Sequence, residues 1–168
     1  MLTLLFLLQA AAVAPAPNAP WTAQTRTDAA GRVSTSAFVL SGNGDARLMV
    51  RCDRAGDPGV SLILRTRTKP LDAGDNHVVT VTVDGGKPID AVWQFPAGAA
   101  LLSEPEAVTA LTTAIDGGAS VRLDTDDGGS HVVATFPGAK GHSGVRDVLA
   151  ACGYALGVVP APVKPAAK

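Results

Sequence analysis

Charged residues are scarce in this chain. Asp, Glu, Lys and Arg make up 17% of its 168 residues, and 14 basic side chains stand against 15 acidic ones, for a formal net charge of −1. Such a balance leaves no overall electrostatic footprint for a nucleic acid or an anionic membrane. Aromatic residues are scarcer still, at 4%, which argues against base-stacking platforms and carbohydrate-stacking grooves. Long apolar runs are missing: the stretch from Leu2 to Leu8 falls well short of the roughly 20 residues a membrane-spanning helix requires. The two cysteines are too few and too widely spaced for a zinc site without help from histidine. The three histidines, His77, His131 and His142, sit in different segments, and no pair has a ligand spacing such as H-x-x-x-H. The glycine pairs Gly85-Gly86 and Gly117-Gly118 lack the following Lys-Ser/Thr of a phosphate-cradling loop.

What is present is a large apolar fraction, 46%, built mainly from Val, Leu and Ala, together with 18 Gly and 12 Pro. That mixture suits short strands joined by tight turns in one ordinary domain. Residues 1–14 read as a signal peptide, an apolar run followed by small residues at Ala10-Ala11-Ala12-Val13-Ala14, although no Lys or Arg precedes it. Residues 15–20, with Pro15, Pro17 and Pro20, form a linker. The folded part spans 21–157. Residues 158–168, with Pro160, Pro162 and Pro165, read as a disordered Pro/Ala tail. The chain is therefore expected to be periplasmic or secreted, without a transmembrane anchor.

Within 21–157 the dominant period is two. Leu48, Val50 and Cys52 share one strand face and Arg47 and Arg51 the other. Val60, Leu62 and Leu64 alternate next, after a turn over Asp53 to Gly59. Val79, Val81 and Val83 alternate up to Asp84-Gly85-Gly86-Lys87, a hairpin turn, and Ile89, Ala91, Trp93 and Phe95 share a face on the return. A second hairpin joins Val121–Leu123 to His131–Phe136 through Asp126-Asp127-Gly128-Gly129. Trp21 to Thr27 and Val33 to Leu40 read as a further strand pair.

Two short helices interrupt this pattern. Ser103-Glu104-Pro105-Glu106 has the form of a capping box with Pro near the first helical position. Val108, Leu111 and Ile115 follow at helical spacing up to Gly117. A second helix starts near Ser143, with Val145, Val148, Leu149 and Cys152 on one stripe and Gly153 ending it. The expected fold is mainly β, an antiparallel β-sandwich or one curved sheet with the C-terminal helix packed on it and one short middle helix.

Cys52 lies on the apolar face of its strand and Cys152 on the apolar stripe of the last helix. Both point to the core, as a disulfide between them requires. In an exported chain an even cysteine count favours pairing. Closing a loop of about 100 residues would constrain the unfolded chain by roughly 4–5 kcal/mol in the chain-entropy description.

Chemistry-bearing patterns are weak. Gly141-His142-Ser143-Gly144-Val145 has Val145 where a nucleophile elbow needs Gly, so Ser143 reads as a helix cap. Asp124-Thr125-Asp126-Asp127-Gly128 has the flavour of a calcium loop, but Gly128 stands where an oxygen ligand belongs, so a hairpin turn is the simpler reading and a weak cation site the alternative. His77 and His131 fall at strand starts and read as solvated. Glu104 and Glu106 suit the start of a helix. No catalytic, cofactor-binding or metal-ligating residue is assigned, and no cofactor is expected.

The order of elements resembles a known family. Trp21, the strand Leu48 to Cys52, the V-x-V-D-x-G turn of Val81 to Gly86, the strand carrying Trp93, and Ala134-Thr135-Phe136-Pro137 before a helix closing on Cys152 together resemble the type VI secretion-associated VasI family. The likeness to invasion-associated locus B proteins is looser. The resemblance covers Trp21 to Gly153 and implies a periplasmic accessory or surface protein with another envelope or secretion protein as partner. Two other classes compete with a binding module. One is a small periplasmic hydrolase or metal-dependent enzyme using His142, Ser143 or Asp124 to Asp127. The other is an enzyme inhibitor presenting the Asp53 to Gly59 loop. The ligand, the partner and the oligomeric state stay open.

Overall fold

Where apolar and polar residues alternate, the chain forms strands. The computed structural model describes residues 20–56, 58–67, 71, 74–96, 98–126 and 131–161. Residues 1–14, most of the 15–20 linker, the Asp127–Gly129 part of the second hairpin turn and 162–168 of the tail lie outside them. Among the described residues the strands are β1 (Gln24–Thr27), β2 (Val33–Leu40), β3 (Ala46–Asp53), β4 (Gly59–Thr66), β5 (Gly74–Val83), β6 (Ile89–Phe95), β7 (Ala100–Leu102), β8 (Ser120–Asp126) and β9 (His131–Pro137). The helices are α1 (Pro105–Gly117) and α2 (Gly144–Ala151).

The protein is mainly β, with all pairings antiparallel in one nine-stranded sheet of order β1-β2-β3-β4-β7-β6-β5-β8-β9. A single sheet replaces the sandwich alternative. β1–β4 run as a meander. The chain then skips two places to β5, and the β5–β6–β7 meander returns to β4, so the three-residue β7 joins the two halves. β7 pairs with β4 over Leu62↔Leu102 to Leu64↔Ala100 and with β6 only through Gln94↔Leu101.

The β5–β6 hairpin turns where expected. Asp84 and Gly85 both take positive φ, 51° and 68°, and the Gly86 amide donates to the Val83 carbonyl at 2.9 Å. Two successive positive φ values give this turn the twist of the flanking strands, and the Val81↔Ile89 register leaves one extra residue on the return.

The sheet is not closed, but it curls until β9 meets β2. The Gly42 amide, just past β2, donates to the Thr135 carbonyl of β9 at 3.2 Å. Trp21 bridges the same seam: its backbone N–H donates to Phe38 of β2 at 3.0 Å and its indole N–H to Pro137 at 2.9 Å. Trp21 is thus not part of β1, which begins at Gln24. It is 1% exposed with φ of 52°, a conformation that is costly for a bulky residue and is held here by those two bonds.

One side of every long strand faces a single core. Leu48, Val50, Leu62, Leu64, Val79, Val81, Trp93, Phe95, Val121, Leu123 and Phe136 belong to it, with Leu111 and Ile115 of α1 and Val145 and Val148 of α2. α2 packs on β2 and β3, and α1 against β4 and β5. A Cβ on Gly144 would collide with the Trp21 carbonyl, so only glycine lets α2 approach the seam this closely.

Both helix starts differ in detail from the expected caps. At α1 the N-cap is Glu104, not Ser103, and its carboxylate accepts from the amides of Glu106 at 3.0 Å and Ala107 at 2.6 Å. The reason is Pro105: the residue before proline is driven to extended backbone, and Glu104 has φ −68° and ψ 123°. At α2 Ser143 does occupy the N-cap, but its hydroxyl makes no capping bond and instead donates to the Asp147 carboxylate at 2.7 Å.

Candidate functional site

Cys52 and Cys152 form a disulfide, with α-carbons 5.7 Å apart. They are 0% and 7% exposed. The bond fastens the end of α2 to the end of β3. The chain reverses immediately afterwards. Gly153 takes φ of 76°, and the Tyr154 amide returns to the Leu149 carbonyl at 3.0 Å, a left-handed helix stop that suits glycine. The Tyr154 hydroxyl then donates to the Pro58 carbonyl at 2.7 Å, which ties the C-terminal segment to the β3–β4 loop. The segment from Tyr154 onward is thereby laid beside β4 and α1.

Between them lies a groove of about 510 Å³, within the usual size range of ligand pockets. Ile63, Leu101, Val108, Leu149, Tyr154 and Val158 supply its apolar walls. The polar side chains of the α1 wall are spent locally, since the hydroxyls of Thr109 and Thr112 donate to the carbonyls of Pro105 and Val108 at 2.8 and 2.7 Å. At one end Arg51 holds Asp53 through two bonds to a single carboxylate oxygen, at 2.9 and 2.7 Å. Val158 and Pro160, from the segment read as tail, line the groove.

Ile63 and Leu101 also belong to the outer face of the sheet. The register sets Phe38, Met49, Ile63 and Leu101 in one row across β2, β3, β4 and β7. Sequence reasoning attended to the core side of these strands and passed over the row. The signal was available: Leu62-Ile63-Leu64 and Leu48-Met49-Val50 are apolar on both faces, and so is Ala37-Phe38-Val39. A run without alternation marks a strand covered, wholly or partly, on two sides.

The residues singled out for chemistry are spread over separate elements. His142 and Ser143 precede α2, and the Ser143 hydroxyl is engaged by Asp147. Asp124 lies on β8, not in the turn, and its two oxygens meet Arg122 Nη2 at 2.9 Å and His131 Nε2 at 2.7 Å. Among the described residues no group of three or more His, Cys, Asp or Glu side chains is placed to hold a metal ion. His131 is exposed, as expected, with its Nε2 within hydrogen-bond reach of Asp124. His77 lies inside β5, after an irregularity in the β5–β6 register, with its ring edge-on to Phe95 at 4.8 Å. No described helix is long and apolar enough to cross a membrane.

Comparison with protein-family models, with curated proteins and with solved structures finds no match to this chain.

Proposed function

We propose that this chain is an exported, non-catalytic binding module of the periplasm or cell surface, and that it takes an apolar group of its ligand or partner in the groove between β4, β7, α1 and the C-terminal segment. The observation that carries this reading is the groove itself, an apolar recess walled on one side by the C-terminal segment that follows the disulfide, the helix stop and the Tyr154 bond. A buried disulfide suits an oxidising compartment. The Ser143 hydroxyl is engaged by Asp147, and Asp124 lies on β8 with Arg122 and His131 as its partners, which favours binding over hydrolysis. The resemblance in element order to the VasI proteins supports an accessory role at the envelope or a secretion system, with a protein of that setting as partner.

The test uses an environment-sensitive apolar dye, anilinonaphthalene sulfonate, on the intact oxidised protein. One saturable site per chain is expected. Val158→Asp and Ile63→Glu place charge on the groove wall and should each weaken dye binding by about tenfold, the cost of bringing a charge next to an apolar contact. Dye binding that is absent, or unchanged in both variants, would remove the groove from consideration.

A further inference from the structure

The two halves of the sheet come from stretches of the chain that differ in net charge. Residues 20–67 hold seven arginines against four aspartates, whereas residues 74–137 hold nine carboxylates against one lysine and one arginine. On the first side the register sets Leu40, Arg47 and Arg65 in a row, next to the row of Phe38, Met49 and Ile63. Leu40 is 50% exposed. The Arg47 guanidinium lies 4.0 Å from the Phe38 ring centre, and its Nε is buried without a hydrogen-bond partner. Burial, then Arg65 and Arg26, hold the Arg47 pKa below its ordinary value. Among the described residues no carboxylate pairs with Arg26, Arg47 or Arg65. Crowded, unpaired cations over apolar side chains are relieved by a surface that brings carboxylates and apolar groups together.

The chain carries such a surface on its other side. There Asp90, Thr80, Asp124 and Val133 form one row across β6, β5, β8 and β9. Asp90 accepts from the Thr80 hydroxyl at 2.7 Å, Asp124 already meets Arg122 and His131, and Val78 pairs with Val92 beside the row. Val78, Val92 and Val133 are 53%, 59% and 45% exposed. β3 and β5 stand four places apart in a sheet that curls until β9 meets β2. The two patches therefore face away from each other, and one neighbour cannot cover both.

We infer that copies of this chain associate head to tail, the arginine–leucine patch of one seated on the aspartate–valine patch of the next. Neither patch complements itself, so the contact is heterologous and can extend beyond a pair. Light scattering after size exclusion tests this on the oxidised full chain. The mass should rise with protein concentration and fall back toward one chain as salt screens the contact. Leu40→Asp/Arg65→Glu breaks one patch and Asp90→Lys/Val92→Lys the other, all at exposed side chains. Each double variant alone should stay monomeric, and an equimolar mixture of the two should give a 1:1 dimer and nothing larger, since each supplies the patch its partner lacks. A wild-type monomer at every concentration would overturn the inference. So would self-association of either variant alone, or a wild-type monomer that sediments with phosphatidylglycerol vesicles.

Discussion

The indole N–H of Trp21 donates to the carbonyl of Pro137, 2.9 Å away in space and 116 residues on in the chain. This bond joins the approach to β1 with the end of β9 at the place where ladder pairing stops. It turns an open sheet into a nearly closed wall around the core.

Trp21→Phe keeps most of the buried area and deletes the donor, so it should cost about 1–2 kcal/mol. Trp21→Ala also empties the site and should cost about 3–5 kcal/mol. Denaturant unfolding of the oxidised protein measures both. A Trp21→Phe variant as stable as wild type would mean that the seam bond contributes nothing net.

Opening the Cys52–Cys152 disulfide should lower stability by about 4–5 kcal/mol, on the chain-entropy account of a loop this long. Titration of the denatured, unreduced protein should count no free thiols. The Cys52→Ala/Cys152→Ala variant, compared with wild type in denaturant, gives the size of the effect. Two reactive thiols in the native preparation would refute the pairing and weaken the case for export.

Gly144→Ala should be destabilising by about 2 kcal/mol or more, the scale of overpacking in a close-packed interior. Helix propensity alone points the other way, favouring Ala over Gly by about 1 kcal/mol. The sign is decided by the Trp21 carbonyl, against which the new methyl would be driven. A stabilised variant would show that α2 can retreat from the seam.

Asp116 is a buried carboxylate in α1, and Arg146 Nη1 reaches its Oδ2 at 2.8 Å while Oδ1 finds no partner. Breaking a buried pair from one side strands the remaining charge. Because Arg146 is itself half-exposed, Arg146→Ala should cost about 2 kcal/mol, below the range for fully buried pairs. Asp116→Asn added to Arg146→Ala should recover most of the loss. A double variant no better than the single one would place the effect in packing instead of charge.

The core side of the fold was legible because alternation is a local property. A strand turns successive side chains to opposite faces, so Leu48, Val50 and Cys52 declare their face within one short segment, and Cys152 does so on a helix. The groove was less legible. Its residues come from β4, β7, α1 and the C-terminal segment, and nothing local marks them as neighbours. β7 escaped because three residues carry too little pattern to read. Glu104 displaced Ser103 as the cap because a single proline overrode a motif.

By itself, then, the sequence determined the long strands and both helices, which side of each is apolar, and that two cysteines face inward. Backbone geometry imposes those periods without reference to the rest of the chain. The tertiary structure alone decided the strand order, the placing of Trp21 across the seam, the groove, and the rows that align Leu40 with Arg47 and Arg65 and Asp90 with Asp124. Each of these depends on residues far apart in sequence being brought together as the sheet curls around one core.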